Sequence, residues 1–407
     1  MRILYITDYI PYPPVTGDLI RNYNLIRRVS EYHQVSLVGF TRNAELPENL
    51  LAVQAFCERL DTVPLPQRSK MSRIPGVLRY LVAGVPFEFE FLYSEFLSEK
   101  IKRIVSDFNF DIIQFEQSRM APYLAALPAE DKSKRVLAFH NVAANQYKRI
   151  SKIVQTPVGR VRTWVYSQML HSWEPRYARH FDRCITVSEN DRSELLRANP
   201  NLKIDVISNG IDTKKHQPLE LKLFNTKPSL LFVGSLGYAP NADGIVWFCK
   251  EILPRLRNEI SDIQVWIVGI SPPPEVTRLS SDEVHVTGRV GNVVPYYEQC
   301  AISIVPLRAG GGTRLKILES MALGRPVVST NIGCEGLEVV DGRHLLIGDS
   351  PEQFAHSIIR LLKDPTLYRQ IAESARKLVA DRYDWDVIVE KLLNVYSSLD
   401  RETENYK

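Results

Sequence analysis

The strongest constraint on how this chain can fold is an alternation that runs its whole length: short β-rich apolar runs, each followed by a segment with helical spacing. That order is the pattern of parallel strands joined by crossover helices. In the first half, strands are expected at Ile3–Thr7, Val35–Val38, Ile112–Phe115, Val136–Phe139 and Cys184–Val187. A loop rich in proline (Pro11, Pro13, Pro14) leads from the first of them into a helix with Leu19, Tyr23 and Ile26 on one face. The pattern begins again at Ser229–Val233, where an apolar run enters a turn at Gly234, and continues through Val265–Val268, Val284–Val286, Ile302–Val305 and Val327–Ser329. Two Rossmann-like sheets in series is the economical reading, and 407 residues suit two domains of ordinary size. The turn-forming cluster Ser208-Asn209-Gly210-Ile211-Asp212 suits the join, and a last long helix runs from Asp386 to about Leu399.

Charge and cysteine content exclude several classes. A formal net charge of +4 makes no demand for nucleic acid. Cys57, Cys184, Cys249, Cys300 and Cys334 are odd in number and never spaced C-x-x-C, which argues against a disulfide framework or a zinc site and for reduced thiols in a cytosol. At the N-terminus, Asp8 and the prolines interrupt the apolar run before a signal sequence can form. No apolar stretch approaches the roughly 20 residues that span a bilayer.

The segment richest in chemistry runs from Pro306 to Val328. A strand enters Gly310-Gly311-Gly312, a helix is expected to open near Thr313, and Gly324-Arg325-Pro326 ends it. Glycines let a ligand reach the backbone, and the N–H groups of a helix start meet an anion. Arg314 and Lys316 add full positive charge, with Arg308 a weaker candidate on the preceding loop. About one turn further on, Glu319 can accept two hydrogen bonds from a vicinal diol, as ribose is commonly held. Phosphate at one end and ribose at the other imply a nucleotide diphosphate.

From Gly312 to Glu319 and on through Ser320-Met321-Ala322-Leu323-Gly324-Arg325-Pro326-Val327-Val328, the chain resembles the donor segment of retaining glycosyltransferases of family four, which have the GT-B fold. The resemblance extends to Pro13-Pro14 with Gly17 and Arg21, to Phe139-His140-Asn141, to Val187-Ser188-Glu189 and to Asn209-Gly210-Ile211-Asp212. It implies an α/β architecture of two Rossmann-like domains facing across a cleft: an acceptor domain over 1–207, a nucleotide-sugar domain over 208–383, and a helix over 384–407 returning to the first. It further implies transfer without a metal or other cofactor, the nucleotide-diphosphate sugar being a co-substrate. His140 would hydrogen-bond the donor sugar, Gly288-Arg289-Val290 would lie beside the base, and Gly17, Asp18 and Arg21 would form a loop for acceptor or diphosphate. An N-cap turn is the alternative reading of Asp18; Glu116, at the end of the Ile112–Phe115 strand, contacts the acceptor or, as the favoured expectation, is a solvated carboxylate.

Two departures stand out. Many relatives carry two glutamates as E-x7-E; here the second is Glu319 and the first position is Gly311, so backbone N–H groups of Gly311 and Gly312 would have to hold the sugar. The stretch Gly234 to Asp243 carries no cation where the family often has diphosphate-binding Arg and Lys, leaving Arg314 and Lys316 to supply it. Two basic clusters interleaved with apolar residues suit an anionic membrane surface, where lipid-linked acceptors reside, or are ordinary solvated helices. They are Arg68, Lys70, Arg73 and Arg79, and Lys148, Arg149, Lys152, Arg160 and Arg162 near Trp164 and Val165. A binding protein without turnover, or a nucleotide-sugar epimerase or hydrolase of the same fold, are the rival classes; no extra acid–base pair for the latter is visible.

Overall fold

The computed structural model describes residues 1–42, 46–66, 82, 84–154, 156–220 and 228–404. The first basic cluster, Arg68 to Arg79, lies outside them. The chain forms two compact units, one of Met1–Asn145, Trp164–Ser208 and Ile388–Lys407, the other of Gln146–Thr163 and Asn209–Val387. The unit boundaries thus fall at Ser208/Asn209 and Val387/Ile388, beside the joins expected at 207/208 and 383/384, and the second unit also takes in Gln146–Thr163.

In the first unit, seven strands form a parallel sheet: β1 (Arg2–Thr7), β2 (Gln34–Thr41), β3 (Arg59–Pro64), β4 (Ile112–Glu116), β5 (Lys134–Phe139), β6 (Arg183–Thr186) and β7 (Ile204–Val206), in the order β3-β2-β1-β4-β5-β6-β7. The second unit holds β8 (Ser229–Val233), β9 (Gln264–Val268), β10 (Val284–Gly288), β11 (Ile302–Val305), β12 (Val327–Ser329) and β13 (Leu346–Ile347), ordered β10-β9-β8-β11-β12-β13 and again all parallel. Parallel sheets are covered on both faces, so central strands are mostly apolar. Ile3, Leu4, Tyr5 and Ile6 of β1 are all buried, as are Leu230, Leu231 and Phe232 of β8.

β3, β7 and β13 escape the sequence reading because they lie at or near sheet edges and are short or polar. β3 reads Arg-Leu-Asp-Thr-Val-Pro, with Asp61 paired to Arg59 and, at 3.1 Å, to Lys100. Such charges blunt an edge against further pairing, at the expense of the apolar signal. No described helix is long and apolar enough to cross a membrane.

The closing helix, Trp385–Glu404, begins in the second unit and completes the first. Ile388, Leu392, Tyr396 and Leu399 recur at helical spacing and are fully buried. Leu392→Ala is therefore expected to destabilise the first unit by about 2–5 kcal/mol. Urea unfolding followed by probes in that unit checks this, and an unchanged midpoint would show that the helix packs there only loosely.

Candidate functional site

In the second unit, β8 and β11 are neighbours whose connections leave in opposite directions, one to β9 and one to β12. The loops after them diverge at the switch point where open parallel sheets bind ligands. The loop after β11 carries Gly310, Gly311, Gly312 and Thr313, and the helix that follows spans Leu315–Ala322 with Arg314 at its N-cap. That helix starts slightly later than the sequence suggests, because Arg314 turns back on the loop and donates from Nη1 to the Gly311 carbonyl. Gly310 has φ 119°, and a Cβ on it would lie 2.8 Å from the Arg314 guanidinium, so only glycine fits. Thr313 is buried and its Oγ1 has no hydrogen-bond partner among the described residues, an orphan hydroxyl of the kind a ligand satisfies.

Lys316 extends from the same helix to the end of β8. Its Nζ donates to Asn241 Oδ1 at 2.9 Å and lies 4.1 Å from the Phe232 ring centroid. A Cβ on Gly234 would come within 2.6 Å of that nitrogen. The turn without a cation of its own therefore receives one from a helix over 70 residues away in sequence. Desolvation, reinforced by the Arg314 charge, pushes the Lys316 pKa down to about 7. Arg308, by contrast, is matched by Asp243 at 2.7 Å and stacks 5.5 Å from the Trp247 centroid, so its charge is committed elsewhere.

Glu319 lies on the same helix as Lys316. Its Oε2 accepts from Tyr297 Oη at 3.0 Å, and its Oε1 is 3.8 Å from His216 Nε2. Burial raises its pKa, opposed by His216 and by the tyrosine hydroxyl. Arg289 is exposed beyond Gly288 at the end of β10. Arg149 is placed differently from the sequence reading, which grouped it with a basic cluster facing a membrane surface or solvent: it forms a bidentate pair with Glu335 and donates to the Gly310 carbonyl at 3.2 Å. Gln146, one turn earlier, donates to Tyr238 Oη at 2.8 Å. Arg325 is likewise internal, its guanidinium spent on the carbonyls of Tyr297 and Glu220 at 2.8 and 2.9 Å.

In the first unit the switch point lies between β1 and β4. Asp8 follows β1, Glu116 ends β4, His140 follows β5, and Gly17 opens the helix Gly17–Val29. Asp8 is fully buried and pairs with Arg119, while Gln117 Nε2 donates to it at 3.3 Å. Burial raises the Asp8 pKa against the pull of Arg119. Asp18 is not the helix cap; that position is Thr16, whose Oγ1 donates to Asp18 at 2.5 Å. Burial pushes the Asp18 carboxyl up, but Thr16, His140 and Arg119 outweigh it and hold it below the usual range. Glu116 corrects the expectation of a solvated carboxylate: it is 1% exposed and 2.7 Å from His140 Nε2. Arg21 is a second correction. It does not line the loop but is buried, donating to the Ser208 carbonyl at 3.0 Å, and desolvation lowers its pKa to about 10.

Residues 227–364 match the family model for glycosyl transferases group 1, and residues 21–215 match that for Glycosyltransferase Family 4. An uncharacterized 44.6 kDa protein in the cps region of Klebsiella pneumoniae is 24% identical over 94% of this chain and 96% of its own length. A glycogen synthase of Mycobacterium tuberculosis is 27% identical over 62% of this chain and 63% of its own, so that match covers less than two thirds of the synthase. Among solved structures, sucrose-phosphate synthase from Thermosynechococcus elongatus superimposes with a TM-score of 0.72 at 18% identity, over 99% of this chain and 100% of that one. Anabaena HepE, in complex with UDP and glucose, gives 0.68 at 15% identity, over 98% and 100%. Two parallel Rossmann-like units with these matches define a glycosyltransferase of GT-B type. The chain belongs to glycosyltransferase family four.

The setting of Lys316 generates a pH-dependent expectation. With its pKa near 7, the amine is about half protonated at neutral pH, and a bound diphosphate favours the charged form. Were a nucleoside diphosphate to bind against this amine, binding would be accompanied by proton uptake, and affinity would fall as pH rises above about 7. Titration calorimetry in buffers of different ionisation enthalpy reads the uptake. Lys316→Met is expected to weaken binding roughly 10- to 150-fold and to abolish the uptake; binding in the variant at wild-type strength would remove Lys316 from the site.

Proposed function

We propose that the chain transfers a sugar, with retention of anomeric configuration, from a nucleotide-diphosphate sugar to a hydroxyl of a lipid-linked glycan or polysaccharide precursor. The observation that carries this reading is the convergence, on one loop and helix of the second unit, of a glycine-rich turn, Thr313, Arg314 and Lys316 with the carboxylate of Glu319. The cations and N–H groups suit a departing diphosphate, whose charge grows as the glycosidic bond breaks. Glu319 suits the ribose diol, and the N–H groups of Gly311 and Gly312 replace the glutamate absent at position 311. His140 hydrogen-bonds the donor sugar, while Gly17 and Asp18 belong to the acceptor loop; Asp8 and Asp18 together favour a hydroxyl-bearing ligand there over a phosphate. Arg289 adjoins the base. The structure of HepE with UDP and glucose supports a uridine nucleotide, and the cps-region relative supports a polysaccharide product. In this reading the protein cations do the work of a metal, and the enzyme acts in the cytoplasm.

A panel of nucleotide sugars with lipid-linked acceptors, assayed for nucleotide release in EDTA and for product anomer by NMR, tests the proposal. Release from at least one donor with retained configuration is expected. Glu319→Ala is expected to lower kcat/KM by about 10- to 150-fold, and Lys316→Ala to lower turnover by about 10²- to 10³-fold. An inverted product, or no release with any donor, would contradict it.

Contact with the inner face of a membrane is supported by the helix Pro157–Ala178. Its first half exposes Val158, Val161 and Trp164, interleaved with Arg160 and Arg162, and its first turn contains no acid. Flotation with anionic but not neutral liposomes, reversed by salt, is expected; no flotation with either would dismiss the contact.

A further inference from the structure

Glu116 and His140 end a longer buried file in the first unit. Tyr5 Oη lies 2.7 Å from Tyr396 Oη, which donates to Gln114 Oε1 at 2.6 Å. Gln114 Nε2 donates to Glu116 Oε1 at 2.6 Å, and Glu116 Oε2 lies 2.7 Å from His140 Nε2. Tyr5, Gln114, Glu116 and Tyr396 are at most 1% exposed. Four separate parts of the chain contribute: β1, β4, the turn after β5 and the closing helix.

The chemistry of the groups sets the direction of every bond. Tyr396 gives its proton to the Gln114 carbonyl, so the Tyr5 hydroxyl must donate to Tyr396. Gln114 then has its amide nitrogen toward Glu116, which as a carboxylate can only accept. An acceptor on Oε2 requires a proton on His140 Nε2, in the neutral and in the cationic ring alike. His140 Nδ1 is left facing elsewhere, buried and without a hydrogen-bond partner among the described residues.

We propose that this file fixes the ring so that His140 presents Nδ1 to a substrate hydroxyl, which makes Glu116, Gln114 and Tyr396 positioning residues for the transfer. The inference rests on the reading that His140 meets the sugar. A carboxylate taken wholly out of water is a poor device for stability alone, because apolar residues of similar volume serve as well or better. Here it is retained at the carboxyl end of a central strand, with Arg21 close enough for its charge to favour the ionised form. The orphan Nδ1 is likewise a cost to the protein unless something meets it. A carboxylate behind an imidazole selects which nitrogen faces the reaction, and a hydroxyl and an amide behind the carboxylate hold it in plane.

Nitrogen-15 NMR of histidine-labelled full-length protein, with His140 assigned by its loss in His140→Gln, reads the tautomer without any assay of activity. Wild type is expected to carry a proton on Nε2. In Glu116→Gln that preference is expected to relax, with kcat falling at least about tenfold while KM for the donor stays within about threefold. Tyr396→Phe removes one hydroxyl and keeps the ring; a smaller fall in kcat with the same constancy of KM is expected. A wild-type neutral ring protonated on Nδ1 would overturn the inference with no variant needed. So would a tautomer and kcat unmoved by Glu116→Gln. Failure of the wild type to transfer any sugar would overturn the proposed function instead, and the tautomer measurement separates the two.

Discussion

The seating of one amine against the end of one strand organises the second unit. Lys316 belongs to the helix after β11, yet its Nζ lies over Phe232 and against Asn241, at the turn that leaves β8. Both loops at the switch point are therefore tied to one charge. Gly234 makes room for it, and Arg314 beside it turns onto the carbonyl of Gly311. Two neighbouring cations desolvated together are unfavourable by themselves, as the depressed pKa of Lys316 records. A diphosphate would relieve that repulsion, so the same arrangement that strains the protein alone would favour such a ligand.

The first unit solves the opposite problem. Its strand ends carry carboxylates, Asp8 and Glu116, each held by a specific partner: Arg119 for one, His140 and Gln114 for the other. Their placement follows from the parallel sheet, since residues just past β1, β4 and β5 must emerge at the same edge. The closing helix joins these strands through Tyr396, which donates to Gln114 of β4, and through the buried Ile388, Leu392 and Leu399.

How much of this was legible in the sequence depends on how local the signal is. Central strands such as β1 and β8 are buried on both faces and show as apolar runs; β13, two residues long, leaves almost no trace. The glycine loop, Lys316 and Glu319 share one short stretch, so their association could be read directly, though not the reach of Lys316 to β8. Long-range partners could not be read. Tyr5 and Tyr396 are 391 positions apart, Arg149 and Glu335 are 186 apart, and neither pair has a spacing that a periodicity would reveal. Arg21 is placed in the loop by resemblance alone, and Glu116 in solvent for the same lack of visible partners. A charged side chain suggests solvent unless its partners are known, and here the partners come from other elements. Asp8 was within reach, standing directly after the first strand at the carboxyl edge where ligands bind.

On the proposed function, the second unit grips a nucleotide diphosphate with the loop after β11 and the helix that follows. A crystal structure of the protein with UDP bound tests it most directly. The pyrophosphate is expected within hydrogen-bond distance of Lys316 Nζ and the backbone N–H groups at Gly312 and Thr313, with the ribose hydroxyls on Glu319. A pyrophosphate that leaves Lys316 on Asn241 and binds away from the glycine loop would contradict it.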